Sequence, residues 1–445
     1  MSNVLVLGLK KTGEALAEVL CGEGHQVIVV EESPDASDFD ERAGTVRSHG
    51  GSVLTGELNW AQVLREQSID LVVPSPGVRP GHPLLRAATD AAVAVRSEID
   101  IAAERIAAPI VAITGTNGKT TVTELVTLML ASSGLRVECA GNIGTPLITL
   151  ARTNADVVVA EVSSFQLEFT AAAWHPSVAV ILNIADDHFD WHGDYAHYAA
   201  AKAKIFASMS TADSLVVNGA DQAVTRIVRG AVPRTVEFEV EAVHGVIPAA
   251  LYLADGTELI SVAELPRALP HDLANSLAAA EAALAAGAQI EAVRAVLRRY
   301  TTLAHRLEHV ATIDGVGWYD DSKATNPHAT VSAIGSFNSV VLCAGGQNKG
   351  LDLGVLSKDC TRIRSVIAFG AASAEVVAAF AGKRPVHVAG SMIAVVEAAK
   401  SLAEGGDVVL FSPACASFDA YANYEERGRD FVEAVNARVV ETKVN

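Results

Sequence analysis

Short apolar runs alternate with longer stretches of helical period along most of the chain. In the first hundred residues, apolar runs over Asn3–Leu7, 26–30 and 69–73 predict strands. The first run leads through residues 8–13 into a helix, which indicates a βαβ unit. The third run ends in the polar turn Pro74-Ser75-Pro76-Gly77. Such turns lie at the carboxyl edge of parallel sheets, where open sheets bind ligands.

A second set of strand-like runs covers residues 110–114, 157–160 and 178–182, and polar residues follow each apolar stretch. Strand ends of this kind share one edge in a parallel sheet. Apolar residues recur at helical spacing over residues 273–297, and this stretch ends in Arg298-Arg299-Tyr300. Cations at the C-terminus are typical of a helix end, so we interpret the stretch as the last helix of a domain. We therefore expect a domain boundary near residue 301.

The last third of the chain repeats the alternation. Residues 340–344, 366–369 and 408–412 read as strands, and alanine-rich helical stretches cover Ser373–Phe380 and 393–404. Residues 232–265 lack a clear period and suggest a small β excursion. The pattern predicts an α/β protein with doubly wound sheets. A chain of 445 residues allows three domains of roughly 150 residues each, which we assign to residues 1–100, 101–301 and 302–445.

Composition narrows the functional classes. The formal net charge of −18 argues against general binding to nucleic acid or to an anionic membrane. The N-terminus has no signal-peptide pattern, and no apolar run reaches the roughly 18 residues of a membrane span. The five cysteines follow no metal or redox spacing and read as buried free thiols. These features predict a cytoplasmic protein.

The stretch Thr114-Gly-Thr-Asn-Gly-Lys-Thr-Thr121 joins a buried strand to a helix. Unsatisfied N–H groups at the helix start, the helix dipole and the Lys119 ammonium all favour an anion, and the Thr120 hydroxyl suits Mg²⁺. Ile113 stands where the usual Walker pattern has glycine, so this is a shortened variant. We interpret it as a nucleotide phosphate loop; the alternative is a plain structural turn.

Two further groups suggest metal chemistry. Glu161 ends a predicted strand beside the phosphate loop, where a buried carboxylate needs a cation such as Mg²⁺. The alternative is an acid at the solvent edge. His188 and His192 are four residues apart in an acid-rich stretch. Because no cysteine accompanies them and the stretch is not evidently helical, a structural or capping histidine is favoured over zinc.

Taken together, several motifs resemble those of the ATP-dependent Mur ligases of peptidoglycan synthesis. They are the phosphate loop, Gly141-Asn-Ile-Gly144, Glu161-Val-Ser-Ser-Phe-Gln-Leu167, Asp187-His188, His305-Arg306, Asp321-Ser-Lys-Ala-Thr-Asn-Pro327 and Ser412-Pro-Ala-Cys-Ala-Ser-Phe-Asp419. Their order most resembles the branch that adds D-glutamate. The resemblance covers the full length and implies a Rossmann-like N-terminal domain, a central P-loop ATPase domain and a C-terminal Rossmann-like domain.

The resemblance also implies a reaction and its residues. The carboxylate of UDP-N-acetylmuramoyl-L-alanine attacks ATP, and D-glutamate displaces the resulting acyl phosphate. The implied catalytic residues are Lys119, His188 and Lys202. The implied ATP contacts are Gly115, Thr116, Asn117, Gly118, Lys119, Thr120, Thr121, Asn275, Arg306 and Asp321. Two Mg²⁺ ions are implied, one held by Thr120 and Glu161 and one by His188 with a carbamylated Lys202.

The implied substrate contacts fall into three groups. Those for the UDP-sugar are Lys11, Thr12, Ser75, Pro76 and Gly77, and those for D-glutamate are Lys323, Thr325, Lys349, Ser417 and Tyr424. Asn142 is implied to contact phosphate or metal-bound substrate, and His188 is implied to bind substrate as well as metal. From the residues alone, Lys202 would lie on a helix surface and Lys349 would be solvated. On the same basis, Asn142 and Asn275 would be helix or turn caps.

The chain departs from the family pattern at three places. His271-Asp272 replaces a His-Asn pair, Tyr424 stands where phenylalanine is frequent, and the segment before His305 lacks Gly-Leu-Pro. Two other functions stay open: an amide ligase for a different amino acid or for folate, and a nucleotide-driven switch. We expect a monomer.

Overall fold

The structure, a computed structural model, describes residues 1–34, 38–171, 173–240, 247–301 and 304–444, and of residues 439–444 the backbone alone. The chain forms two compact units. The first comprises Met1–Ile184, Trp191–Ala268 and Asp272–Tyr300, and the second comprises Ala185–Asp190, Leu269–His271 and Thr301–Asn445. The three domain ranges given above stay predictions.

The first unit begins with a parallel sheet flanked by helices. Its strands are β1 (Asn3–Leu7), β2 (Gln26–Glu31), β3 (Ser52–Thr55), β4 (Leu71–Pro74) and β5 (Ala94–Val95). Its helices are α1 (Lys11–Gly22), α2 (Phe39–Ser48), α3 (Trp60–Glu66), α4 (Pro83–Asp90) and α5 (Glu98–Ala103). The strand order is β3-β2-β1-β4-β5, so the order reverses between β1 and β4. Open α/β sheets bind ligands at such a reversal.

A second parallel sheet of the first unit has the order β11-β10-β9-β6-β8-β7. The strands are β6 (Ile110–Thr114), β7 (Val137–Gly141), β8 (Val157–Glu161), β9 (Val178–Ile181), β10 (Ser214–Asn218) and β11 (Arg234–Phe238). The helices between them are α6 (Lys119–Ser132), α7 (Ser164–Glu168), α8 (Phe189–His192), α9 (Tyr195–Ala203) and α10 (Gln222–Ile227). Because β6 lies between β8 and β9, the loops after all three strands meet at one edge.

The rest of the first unit confirms one expectation and corrects another. A hairpin of β12 (Ala250–Tyr252) and β13 (Glu258–Ser261) and strand β11 form the expected β excursion; residues 241–246 lie outside the described ranges. The single helix expected over 273–297 is wrong. The chain forms α11 (Pro270–Ala285) and α12 (Ile290–Leu297) instead, because Gly287 adopts a left-handed φ of +97° between them.

The second unit holds a third sheet in the order β14-β15-β19-β16-β17-β18, parallel except for the β14–β15 pair. The strands are β14 (Glu308–Ile313), β15 (Val316–Asp320), β16 (Val340–Gly345), β17 (Ile363–Phe369), β18 (Val386–Ala389) and β19 (Val408–Ala414). The helices are α13 (Pro327–Gly335), α14 (Ser373–Phe380), α15 (Met392–Leu402) and α16 (Tyr424–Val444). The sequence pattern did not predict β14, β15, β18, α13 or α16.

Helices on both faces explain the continuous apolar strands. Along β16, Val340 and Leu342 enter the core on one face, whereas Val341 and Cys343 enter the core on the other. These features confirm the α/β class. Within the described residues, no helix is long and apolar enough to cross a membrane.

Candidate active site

The phosphate loop lies between β6 and α6, as the sequence predicts. Two carbonyls of the loop accept hydrogen bonds from Lys119 Nζ, that of Gly115 at 2.8 Å and that of Thr116 at 3.0 Å. The lysine therefore folds back over the loop. Asn183, in the loop after β9, donates to Asn117 O at 3.0 Å and accepts from Asn117 N at 2.8 Å. The loop is thus braced from the adjacent strand, with its ammonium and the α6 N-terminus close together.

Gly118 makes room for a predicted ATP contact. Its φ of +88° is left-handed, and a Cβ there would lie 2.6 Å from Asn275 Oδ1. Asn275 is buried in the interior of α11, so the alternative of a helix cap is wrong. Glycine at position 118 is therefore required both by the backbone conformation and by the approach of the Asn275 amide.

Lys202 lies beneath the phosphate loop rather than on a helix surface. Its side chain is 1% exposed, and Nζ donates to Gly115 O at 2.9 Å. The ammonium also lies 4.7 Å from the centre of the Tyr198 ring, whose hydroxyl is 2.9 Å from Thr116 Oγ1. The surface alternative is therefore wrong, and α9 contacts the loop through two side chains.

Glu161 ends β8 at the edge reached by the phosphate loop. It is 2% exposed, so the alternative of an acid at the solvent edge is wrong. Its Oε1 accepts a hydrogen bond from Asn142 Nδ2 at 2.9 Å. Buried Oε2 has no hydrogen-bond partner within the described residues. A buried, unpartnered carboxylate oxygen fits an oxygen-ligated cation such as Mg²⁺.

The two threonines that follow Lys119 differ in exposure. Thr120 is half-buried at the start of α6, where its hydroxyl suits the same cation. Thr121 is 2% exposed, and its Oγ1 has no hydrogen-bond partner in the described part of the chain.

The predicted UDP-sugar contacts lie at the strand-order reversal of the first sheet. Ser75 follows β4, and its hydroxyl donates to Gly8 O, after β1, at 3.3 Å. Exposed Lys11 and half-buried Thr12 begin α1, while half-buried Pro76 and exposed Gly77 continue the turn after β4. The structure thus brings together residues from two distant segments at one sheet edge.

The second unit places Asp321 in a buried polar cluster after β15. Ser412 Oγ donates to Asp321 Oδ2 at 2.7 Å, and Leu307 N donates to Oδ1 at 3.3 Å. Burial raises the pKa of Asp321 to about 7, although the Ser412 bond and the charge of Arg306 oppose the rise. Beside it, His305 Nδ1 lies 2.6 Å from Asp320 Oδ2, and this hydrogen bond raises the pKa of His305.

Four predicted D-glutamate contacts lie on neighbouring segments at the carboxyl edge of the third sheet. Lys323 Nζ donates to the Tyr424 hydroxyl at 3.1 Å, and Thr325 N donates to Lys323 O at 2.9 Å. Buried Ser417 follows β19. The fifth, Lys349, is half-buried in the loop after β16. This strand order brings the loops after β15, β19 and β16 side by side.

The two histidines of the acid-rich stretch belong to different units. His188 has a left-handed φ of +56°, and its Nε2 lies 3.6 Å from Asp187 Oδ2 in the second unit. His192 belongs to the first unit, where Nε2 lies 2.9 Å from Ser164 Oγ and the ring stacks on Phe165. That packing favours the structural role for His192. The joint metal site of His188 and Lys202 stays a prediction.

Three residues that contact the predicted site were missed by the sequence reasoning. Asn183 braces the phosphate loop, Tyr198 contacts Thr116, and Arg427 is buried in α16. The position of Asn183 after an apolar strand was a usable signal. Tyr198 and Arg427 gave none, because only the packing of their helices brings them to the site.

Comparison with known proteins gives matches over nearly the whole chain. The model of the Mur ligase middle domain matches residues 113–283, and that of the Mur ligase glutamate ligase domain matches residues 305–415. A UDP-N-acetylmuramoylalanine–D-glutamate ligase from Desulfosudis oleivorans is 41% identical, covering 97% of this chain and 96% of the relative. The corresponding ligase from Thermobifida fusca is 39% identical, covering 98% of each chain.

A solved structure shares the fold. The MurF ligase from Thermotoga maritima, in complex with ADP, has a TM-score of 0.62 at 16% identity, covering 97% of this chain and 98% of that chain. At this identity the likeness concerns architecture alone. Identities of 41% and 39% to the two ligases, each over nearly the full length, are stronger evidence than this structural likeness. Together with both domain matches, they show that this chain belongs to the Mur ligase family.

Proposed function

We propose that the protein joins D-glutamate to UDP-N-acetylmuramoyl-L-alanine at the expense of ATP. The proposal is supported by 41% and 39% identity, over nearly the full length, to two UDP-N-acetylmuramoylalanine–D-glutamate ligases. It is also supported by the braced phosphate loop, whose carbonyls accept hydrogen bonds from Lys119. The loops after the third sheet supply the Lys323 and Lys349 cations and the Ser417 hydroxyl that suit a dicarboxylate. Residues 1–100 bind the UDP-sugar, 101–301 bind ATP and 302–445 bind the amino acid.

The reaction follows from these groups. An oxygen of the alanyl carboxylate attacks the γ-phosphorus of ATP, and ADP leaves, which gives an acyl phosphate. The amine of D-glutamate then attacks the acyl carbon, phosphate leaves, and the nitrogen loses a proton to form the amide. Lys119 and the α6 N-terminus stabilise negative charge on the transferring phosphoryl group. Arg306 contacts phosphate, and Asp321 accepts a hydrogen bond from the ribose.

Mg²⁺ fits the residues present. Thr120 and Glu161 would hold one ion, since the buried Glu161 Oε2 has no partner within the described residues. Bound Mg²⁺ would neutralise charge on the phosphates. The second site, at His188 and Lys202, requires carbamylation, because a lysine ammonium cannot ligate a cation. The cytoplasmic location and the monomeric state stay predictions.

Phosphate release from ATP tests the function. We expect release only when UDP-N-acetylmuramoyl-L-alanine and D-glutamate are both present. Equal turnover with L-lysine, meso-diaminopimelate, L-glutamate or a folate acceptor would contradict the assignment. Turnover without any acceptor would favour a nucleotide-driven switch.

A separate experiment tests carbamylation. Removal of carbon dioxide should lower turnover and its readdition should restore it, and acetate should partly rescue Lys202→Ala. Wild-type turnover of Lys202→Ala at saturating Mg²⁺ would rule the carbamate out.

A further inference from the structure

A charged side chain outside the predicted site residues lies buried in the second unit. Arg427, in the first turn of α16, is 1% exposed. Burial lowers its pKa to about 10, so the guanidinium stays protonated at neutral pH. No carboxylate of the described residues forms an ion pair with it. A buried cation is costly unless other acceptors satisfy its N–H groups.

Those acceptors come from two separate loops. Arg427 donates from Nε to Ser322 Oγ at 3.0 Å and from Nη2 to Ser322 O at 2.7 Å. Nη1 donates to Cys415 O at 3.0 Å and to Ala416 O at 3.1 Å. One planar guanidinium therefore joins the loop after β15 to the loop after β19.

The acceptors immediately precede predicted substrate contacts. Ser322 is followed by Lys323, and Ala416 is followed by Ser417. The Ser322 hydroxyl also donates to Tyr424 O at 2.8 Å. Three of the five predicted D-glutamate contacts are thus within one residue or one hydrogen bond of groups that Arg427 holds.

A third loop packs against the same guanidinium. Gln347 N donates to Ala416 O at 2.8 Å, and Ala416 N donates to Gln347 O at 3.0 Å. A Cβ at Gly346 would lie 3.0 Å from Arg427 Nη1 and would collide with Ala416 O. This glycine brings the loop after β16, which carries Lys349, against the other two.

We propose that Arg427 is a positioning residue that sets the spacing of the three loops around the amino-acid substrate and thereby its selectivity for D-glutamate. The inference rests on the proposed function. A residue that held the unit together in general would affect every step. Within the described residues, the acceptors of the Arg427 guanidinium are Ser322, Cys415 and Ala416, which adjoin Lys323 and Ser417. Ser322 also follows Asp321, a predicted ATP contact, but Ser412 and Leu307 hold the Asp321 side chain independently of Arg427. Loss of the guanidinium should therefore raise the KM for D-glutamate more than the KM for ATP.

Arg427→Lys separates geometry from charge. Lysine keeps the cation but lacks the planar fork that reaches both loops at once. We expect the KM for D-glutamate to rise about tenfold and the preference for D- over L-glutamate to fall similarly, since small displacements of positioning groups have large kinetic effects. KM for ATP and for the UDP-sugar should change less than about twofold. Acyl phosphate formation, trapped with hydroxylamine without D-glutamate, should be unchanged.

Two further variants complete the design. Arg429→Lys, on the exposed side of the same helix, should behave as the unsubstituted protein. Ser322→Ala removes the hydroxyl that accepts from Arg427 Nε and donates to Tyr424 O, but keeps the Ser322 carbonyl that accepts from Nη2. If Arg427→Lys fails to fold, this variant tests the inference; about a threefold rise in the KM for D-glutamate is expected.

An unchanged KM for D-glutamate in both variants, or an equal loss of acyl phosphate formation and overall turnover, would overturn the inference. Absence of D-glutamate-dependent turnover in the unsubstituted protein would instead overturn the proposed function.

Discussion

Replacing Asp321 by asparagine should change how the stability of the second unit depends on pH. The Asp321 side chain is 6% exposed, and its contacts are the hydroxyl of Ser412 and the amide of Leu307. Burial raises its pKa to about 7. Asparagine has nearly the same shape but does not titrate, so a comparison of the two proteins isolates this ionisation.

The sign follows from proton linkage. A carboxyl in the unfolded chain has a pKa of about 3.9. Because folding raises the pKa of Asp321, the folded state binds the proton more tightly. Its stabilising contribution is complete below about pH 4 and is lost as the pH rises through the folded value, about 7. As the pH rises from 5 to 8, the free energy of unfolding of the unsubstituted protein should therefore fall by roughly 2.5 kcal/mol relative to that of Asp321→Asn, at about 1.4 kcal/mol per pKa unit.

Urea unfolding by pulse proteolysis, with fragments of the second unit identified by mass spectrometry, measures this difference from pH 5 to pH 8. Asp359→Asn is the control. Asp359 is exposed, and the Thr361 hydroxyl and amide hold its pKa below the usual range. Its substitution should give a flat difference across this range. A stability difference for Asp321→Asn that also stays flat would refute the inference that burial keeps this carboxyl protonated.

Three substitutions test the phosphate loop and the amino-acid contacts. Gly118→Ala should raise the KM for ATP more than tenfold, because the left-handed backbone costs about 1–2 kcal/mol and the new Cβ would lie 2.6 Å from Asn275 Oδ1. Lys119→Ala should lower kcat by a factor on the order of 10² or more, by analogy with the loss of one charge-stabilising donor; the readout is acyl phosphate formation. Tyr424→Phe should raise the KM for D-glutamate about threefold, since Lys323 Nζ loses a hydrogen bond worth about 0.5–1.5 kcal/mol.

Each of these three substitutions has either a matched control or a result that would contradict the prediction. Gly134→Ala has a similar φ of +89° but open space around its Cβ, so it should leave the KM for ATP unchanged. Near-normal acyl phosphate formation by Lys119→Ala would make the loop structural. Tyr421→Phe removes a hydroxyl that donates to Asp430, and it should not affect the KM for D-glutamate. Equal effects of Tyr421→Phe and Tyr424→Phe would contradict a specific role for the Lys323 contact.

Much of the fold was predictable because the strands of doubly covered sheets are continuous apolar runs. The runs at 110–114, 157–160 and 178–182 correspond to strands β6, β8 and β9. Strand β6 lies between the other two, so the polar residues that follow the three strands meet at one edge, as predicted. The failures arose where local pattern is ambiguous. The apolar period continues across Gly287, yet the left-handed conformation of that glycine ends one helix before the next begins.

The sequence by itself determined the α/β class, the phosphate loop and the candidate chemistry of Lys119 and Glu161, because glycine spacing and strand ends are local properties of the chain. Tertiary structure decided the rest. Lys202 looked like a surface residue until α9 packed it under the loop, and Arg427 showed no pattern until α16 placed it between two loops. Burial of a charge and the convergence of its acceptors depend on contacts between residues far apart in the chain, which hydrophobic periodicity does not encode.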